Sequence, residues 1–514
     1  VSLPRLRRIV PGIALIVALS GCLACARSRA RPVSRLDIAL PYEVTTLDPH
    51  STFTLSNLAV LFNFYETLVA FDADMRLTPS LARSWENPDP ETWIFHLRPN
   101  VRFHDGHALD SSDVRFSFER LLGRTDLEMA GFLLSIDRID AIDPLTLRIR
   151  TRSPSAILLN KIAYVAIIPR DSTDAGMANR VDGTGPFRLR HFQPDAIEMV
   201  RNDAYWGPPP YAAEATYRLG TPPERALERV RSGESALAQC NTRSALAAGS
   251  RATFRVLRAP DLFVGDLFFD FAAPAIDPEA PGARPFRDIR VRRAIDLAID
   301  RDELAAALPA PAVPVRQLAP PFIFGYDPSL PVSRPDRAEA VRLLAAAGYP
   351  RGFDVALDVR RPFEPAAREV ARQLARVQIR ARVWVHSDLE LAPAENRRAL
   401  SFALDQFGCT TGDVSDILDN VIHTADPARH YGIFNTTGYS QPEIDRLIEE
   451  SSTIADSTSR RALLQTIVGR AMQDLALIPL YADEDIYAVD RSLAWRPRND
   501  GMVLAAEVRR GSRP

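Results

Sequence analysis

The chain has 514 residues, 46% hydrophobic and 25% charged, which excludes disordered, collagen-like and all-membrane classes and, at roughly 150 residues per domain, a single small module. Its 63 basic residues nearly balance 65 acidic ones, so there is no basic footprint for phosphate contacts and nucleic acid is not an expected partner. Proline (41) outnumbers glycine (24), which favours rigid connections over flexible linkers, and Lys161 is the sole lysine.

At the start of the chain Arg5, Arg7 and Arg8 precede an apolar run over 9–19, then Ser20, Gly21 and Cys22, the layout of an export signal over 1–21. The run is shorter than the roughly 20 residues a membrane-spanning helix needs. Leu19-Ser20-Gly21-Cys22 resembles a bacterial lipobox, which implies acylation of Cys22 and a lipidated tether over 22–34; a plain secretory signal with an incidental cysteine is the alternative.

Residues 35–40 alternate as a strand, and 56–70 carry apolar side chains on a helical period at Leu58, Leu61, Phe62, Tyr65 and Leu68. Residues 92–97 read as a strand, 98–100 as a turn and 101–103 as the returning arm of a hairpin. A loop over 104–107 leads to a helix through Val114, Phe118 and Leu121, capped by Ser111 or Ser112. Further on come a turn at 183–187 feeding a strand, an irregular Pro-rich piece at 202–210 and a helix at 222–232 ended by Gly233. A Pro-rich loop over 274–288 precedes a helix over 289–308 with Val291, Ala294, Ile295, Ala298 and Ile299 on one face. A second Pro-rich run, 309–321, precedes a helix at 335–347 closed by Gly348. After it come an extended stretch near Val355, a helix near Arg368, strands at 381–385 and 401–407, helices at 441–454 and 459–475, and a strand at 478–481. Mixed elements without a 20–50 residue repeat point to α/β with α+β segments.

No phosphate loop, nucleophile elbow or H-E-x-x-H motif occurs, so an enzyme is not expected, and neither a metal nor a cofactor is called for. His104 and His107 fit a polar turn better than a metal site, and Asp483-Glu484-Asp485 reads as a solvated turn. The four cysteines make no disulfide scaffold; Cys240 and Cys409 either pair in an oxidising envelope compartment or stay as buried thiols.

Several segments together are similar to the extracytoplasmic solute-binding proteins of family 5, the oligopeptide, dipeptide and nickel receptors of ABC importers. They are Thr46-Leu47-Asp48-Pro49-His50, Tyr65-Glu66-Thr67-Leu68, Pro79-Ser80-Leu81-Ala82, Trp93-Ile94-Phe95-His96-Leu97-Arg98, Phe103-His104-Asp105-Gly106 and Gly183-Thr184-Gly185-Pro186-Phe187. Asn202 to Gly207, Ala298-Ile299-Asp300-Arg301, Ala347-Gly348-Tyr349-Pro350, Tyr439-Ser440 and Ile478-Pro479-Leu480-Tyr481 continue the series in the family's order. The resemblance implies a type II periplasmic-binding-protein fold of two hinged lobes. Lobe I takes 35–66, 167–262 and 481–514, an inserted subdomain takes 67–166, and lobe II takes 263–480.

It also implies a monomeric receptor on the extracytoplasmic face of the membrane. Such a receptor closes around a peptide or other small polar solute and serves an inner-membrane permease and its ATPase. A hydrolase, transferase or ligand sensor on the same scaffold is the alternative. By resemblance Thr52, Phe53 and Thr54 face the ligand from lobe I, and Phe407, Thr410, Thr411, Asp413 and Asp416 from lobe II. Peptide receptors place an aspartate for the ligand's amine where this chain has Thr410 and Thr411; Asp413 is a substitute, or the ligand is a neutral polar solute.

Overall fold

The computed structural model describes residues 34–511 except 125, 178–179, 252, 272–284, 332 and 388–401. The export segment, Cys22 and nearly all of the tether lie outside the described residues.

An eleven-stranded mixed sheet organises the chain. From one edge its order is Ile379–His386, Phe353–Arg360, Phe402–Gly408, Phe254–Phe269, Leu477–Asp490, Leu237–Gln239, Arg35–Ala39, Glu214–Arg218, Ala196–Arg201 and Phe187–Gln193. Ala312–Pro314 pairs with Leu477–Asp490 off this path. Phe254–Phe269 (16 residues) and Leu477–Asp490 (14 residues) belong to both halves of the sheet. They pair antiparallel from Phe254 opposite Asp490 to Phe268 opposite Leu477, with register shifts at Pro260/Val264 and Gly265/Asp266. Pro260 lacks the N–H that the ladder needs, which suits it to such an irregularity.

Each half of the sheet has its own apolar core. Ile38, Phe64, Phe187 and Tyr217 lie in one, and Phe269, Phe286, Val355 and Phe402 in another. A separate four-stranded sheet, Ala82–Asp89, Thr92–Leu97, Thr146–Thr151 and Ile136–Asp143, shares a third core with residues such as Ile417, Leu418 and Leu464.

The helix expected over 56–70 stops at Leu61. Asn63 folds back, its amide nitrogen donating to the carbonyls of Ala59 (3.0 Å) and Val60 (3.1 Å), while the Phe64 carbonyl accepts from Gly185 N (2.8 Å). Val69–Phe71 is therefore a strand rather than a last helical turn. The close approach explains both glycines of the 183–187 turn: a Cβ at Gly183 would lie 2.1 Å from the Phe64 oxygen, and one at Gly185 2.6 Å from the Phe64 carbonyl carbon. Gly183→Ala is expected to cost about 3 kcal/mol by overpacking against backbone, seen as a lower urea midpoint.

The expected hairpin between 92–97 and 101–103 does not form. Thr92–Leu97 pairs instead with Ala82–Asp89 and Thr146–Thr151. Asp110, one residue before the expected caps, caps the helix Ser111–Leu122 in a reciprocal box with Asp113. The helix over 289–308 is two, Ile289–Ala298 and Arg301–Ala307, because Asp300 accepts from the backbone of Asp302 and Glu303 and starts a new helix. Asp483, Glu484 and Asp485 are not a solvated turn. They lie within the strand Leu477–Asp490, where Asp485 accepts from Gln239 (2.6 Å) and Asn241 (2.8 Å), and Glu484 pairs with Arg258. Those partners make their burial tolerable.

Candidate ligand-binding site

In the antiparallel pair of Phe402–Gly408 with Phe254–Phe269, Asp405 stands opposite Asp266 and Phe407 opposite Val264. Side chains alternate along a strand, so Ala403, Asp405 and Phe407 share a face with Val264, Asp266 and Phe268. Val359 lies beside Leu404 in the neighbouring parallel pair, which brings Arg360 level with Asp405 and its Nε 2.9 Å from the carboxylate.

A cavity of about 260 Å³ is lined by this face, with Phe268, Phe407 and Phe434, the Arg360–Asp405 pair and Thr437 among its walls. Phe434 is 57% exposed, and its ring lies 6.1 Å from that of Phe407. Gln406 donates to Asp483 at 3.0 Å, joining the cavity rim to the crossing strand. Asp266, in the same row as Asp405, is fully buried, and neither of its carboxyl oxygens has a partner. Burial first, and then the Asp405 charge, push it well above the ordinary carboxylate range.

Beyond Gly408 the chain turns through Gly412 (φ 72°) into a short helical segment, Ser415–Ile417. Asp416 accepts from Thr411 N (2.7 Å) and from the Thr410 hydroxyl (3.4 Å), and burial lifts it to about 6. Both Asp413 oxygens accept from the buried Arg460 guanidinium, at 2.5 and 3.1 Å. Opposite this turn, Tyr164 donates to the Thr410 carbonyl (2.6 Å) and Asn160 to that of Thr411 (2.8 Å). The Tyr164 ring lies 5.3 Å from that of Phe53. Thr52 and Thr411 each hold a buried hydroxyl without a hydrogen-bond partner.

The structure thus links Phe53 to Thr410 through Tyr164, while Thr411 is held by Asn160. Thr54 is exposed and caps the helix Leu55–Leu61 through Asn57 N. Phe407 faces the cavity, whereas Asp413 already carries a full partner. Cys240 and Cys409 are both free thiols buried in different cores, so the pairing held open from the sequence does not form. Burial pushes the Cys240 thiol up to about 12 and keeps it protonated. Arg360, Phe434, Asn160 and Tyr164 escaped the sequence reading. Arg360 follows a run that reads only as an extended stretch, and Phe434 sits in a loop with no periodic pattern.

A mixed sheet in two halves, joined by two long shared strands with a pocket on one wall, defines a type II periplasmic-binding fold. HbpA2 from Haemophilus parasuis superposes with a TM-score of 0.81 at 19% identity, over 93% of this chain and 100% of that one. The family model for bacterial extracellular solute-binding proteins, family 5, matches residues 76–428. The glutathione-binding protein GsiB of Pectobacterium atrosepticum is 26% identical over 483 residues, covering 89% of this chain and 90% of that protein. The dipeptide-binding protein of Escherichia coli K12 is 26% identical over 359 residues, covering 62% and 65% respectively. The chain belongs to the bacterial extracellular solute-binding proteins of family 5.

Proposed function

We propose that this protein is the receptor of an ABC importer. It takes up a small peptide-like solute between two lobes and passes it unaltered to a membrane permease that an ATPase drives. The observation that carries the ligand reading is the cavity wall, where the Phe407 and Phe434 rings stand beside the Arg360–Asp405 pair. Apolar walls with a few fixed polar groups are what small-molecule sites share, and about 260 Å³ lies just under their usual range of roughly 300–1,000 Å³, which limits the occupant to a small molecule. Relatives named for binding glutathione and a dipeptide support the same class.

In this reading lobe I comprises 35–66, 167–262 and 481–514, the insert 67–166 and lobe II 263–480, with the two long strands as hinge. Ligand that contacts both lobes stabilises the closed form selectively, and closure follows from that difference. Acylation at Cys22 would hold the monomer at the extracytoplasmic face of the membrane.

The test is thermal unfolding of the full chain with dipeptides, glutathione, oligosaccharides and nickel salts at millimolar concentration. A peptide-class ligand is expected to raise Tm with increasing concentration, as binding to the folded state alone requires. Phe407→Ala is expected to weaken that ligand at least tenfold, as truncation of a central aromatic anchor does. A shift with sugars only would replace the ligand class, and no shift with any compound would remove the receptor reading.

A further inference from the structure

The overall balance of charge conceals a local excess of arginine. Where Leu477–Asp490 ends and Phe254–Phe269 begins, Arg251, Arg255, Arg491, Arg509 and Arg510 come together. Arg491 Nε donates to the Arg251 carbonyl (2.6 Å) and Arg491 N to that of Thr253 (3.0 Å). Arg255 donates to the Leu493 carbonyl (2.9 Å), and Leu493 and Ala494 pair antiparallel with Arg510 and Arg509. Four of the five are exposed; Arg255 is half-buried, and its Nε is enclosed without a hydrogen-bond partner. None of the five takes part in an ion pair among the described residues. The acids nearby are already engaged: Asp490 accepts from Ser492 N (2.7 Å), Glu214 pairs with Arg35 (2.8 Å) and Glu507 with Arg498 (2.6 Å).

The same end of the sheet receives the chain from its N-terminal segment. Arg35 opens the strand Arg35–Ala39, and two residues on, the Asp37 carbonyl accepts from Ala236 N (2.8 Å), whose own carbonyl accepts from Asp490 N (2.8 Å). With these strands parallel and then antiparallel, Arg491 lies toward the end at which Arg35 starts. Residues 22–34, which lead into it, carry Arg27, Arg29 and Arg31 and no acid.

We propose that this end of the molecule is a contact face for an anionic phospholipid surface, its arginines meeting headgroup phosphates. Guanidinium groups keep their charge at any physiological pH and match phosphate oxygens in pairs, and a group of them that no carboxylate answers suits a surface of repeating anions. The placement rests on the anchored reading above: the tether from Cys22, extended at about 3.5 Å per residue, keeps this end within about 45 Å of the bilayer. So confined, a patch that binds weakly by itself still engages the surface and sets which end of the receptor faces the membrane.

The test is co-sedimentation of the processed chain, from residue 22 with Cys22→Ser so that no acyl group forms, with vesicles of phosphatidylcholine alone or mixed with phosphatidylglycerol. Binding is expected with the mixed vesicles only, and high salt should abolish it. Each arginine near an anionic surface is worth roughly fivefold in partitioning, so Arg491→Gln with Arg509→Gln and Arg510→Gln should weaken binding roughly 100-fold. Arg510→Glu alone should weaken it at least about fivefold, which keeps the test open if the triple variant has a lower urea midpoint. Arg83→Gln with Arg351→Gln and Arg382→Gln removes the same charge from exposed positions elsewhere and should leave most of the binding. Equal binding to both kinds of vesicle, no binding to either, or equal loss in the two triple variants would overturn the proposal and leave the anchored receptor standing. Anchoring is read separately: an unmodified Cys22 in the mass spectrum of membrane-extracted protein would remove the tether while a vesicle-binding face remained.

Discussion

Arg460→Ala is expected to destabilise the protein by about 3–5 kcal/mol in urea unfolding, the cost of leaving one member of a buried ion pair alone. Arg460 and Asp413 are 6% and 4% exposed, and the guanidinium donates twice to Asp413 and once to the Ser451 carbonyl at 3.1 Å. Asp413→Asn should also destabilise, since the guanidinium would keep its charge in a site that no longer answers it. The paired change Asp413→Leu with Arg460→Met should recover most of the loss, because a buried pair exchanged for apolar groups of similar volume is often neutral. The set separates two roles for Asp413. An acid that held a ligand's amine would leave unfolding unchanged on substitution and abolish binding, whereas a structural acid reverses that pattern.

Glu66→Ala should have a comparable effect, for a different reason. The Glu66 carboxylate accepts from the Thr184 hydroxyl (2.7 Å), the Tyr205 hydroxyl (2.9 Å) and the Trp206 indole (2.8 Å). The Arg98 guanidinium lies over the Trp206 ring, 4.5 Å from its centroid. Alanine would orphan three donors at about 1–3 kcal/mol each, so the unfolding free energy should drop by several kcal/mol. Burial lifts Glu66 to about 7 against the pull of its three donors. A raised folded value means that the stability it contributes is complete below about 4.5 and is lost as pH rises through about 7. Wild type should therefore lose stability relative to Glu66→Gln, which does not titrate, between pH 5 and pH 8. A difference that is flat over this range would show that Glu66 stays ionised in the folded protein.

The Glu66 node also shows why motifs outran elements in the sequence. Tyr65-Glu66, Gly183-Thr184-Gly185 and Tyr205-Trp206 stand far apart in the chain, and each is locally unremarked. Their order carried the family resemblance because the fold makes them one cluster, with Gly183 and Gly185 against the Phe64 carbonyl and Thr184 on Glu66. Periodicity did less well wherever a distant partner intervened. Leu58 to Leu68 keep a helical spacing, yet the helix ends when Asn63 and Gly185 take up the backbone around it. Three consecutive acids normally mark solvent, but Asp483 to Asp485 lie in a crossing strand because Gln239, Asn241 and Arg258 come to meet them. Arg360 and Phe434 had no local signal, since their places in the cavity wall come from the strand register and from a loop without a periodic pattern.

The sequence by itself determined the mixed α/β class, the type II fold through its ordered motifs, and most helices after residue 200, since one apolar face and a local cap suffice to specify a helix. Only the tertiary structure decided that Asp413 belongs to Arg460 and that Cys240 and Cys409 stay apart. Those outcomes depend on which groups meet across long stretches of chain. Local patterning fixes what a segment buries, not what it is buried against.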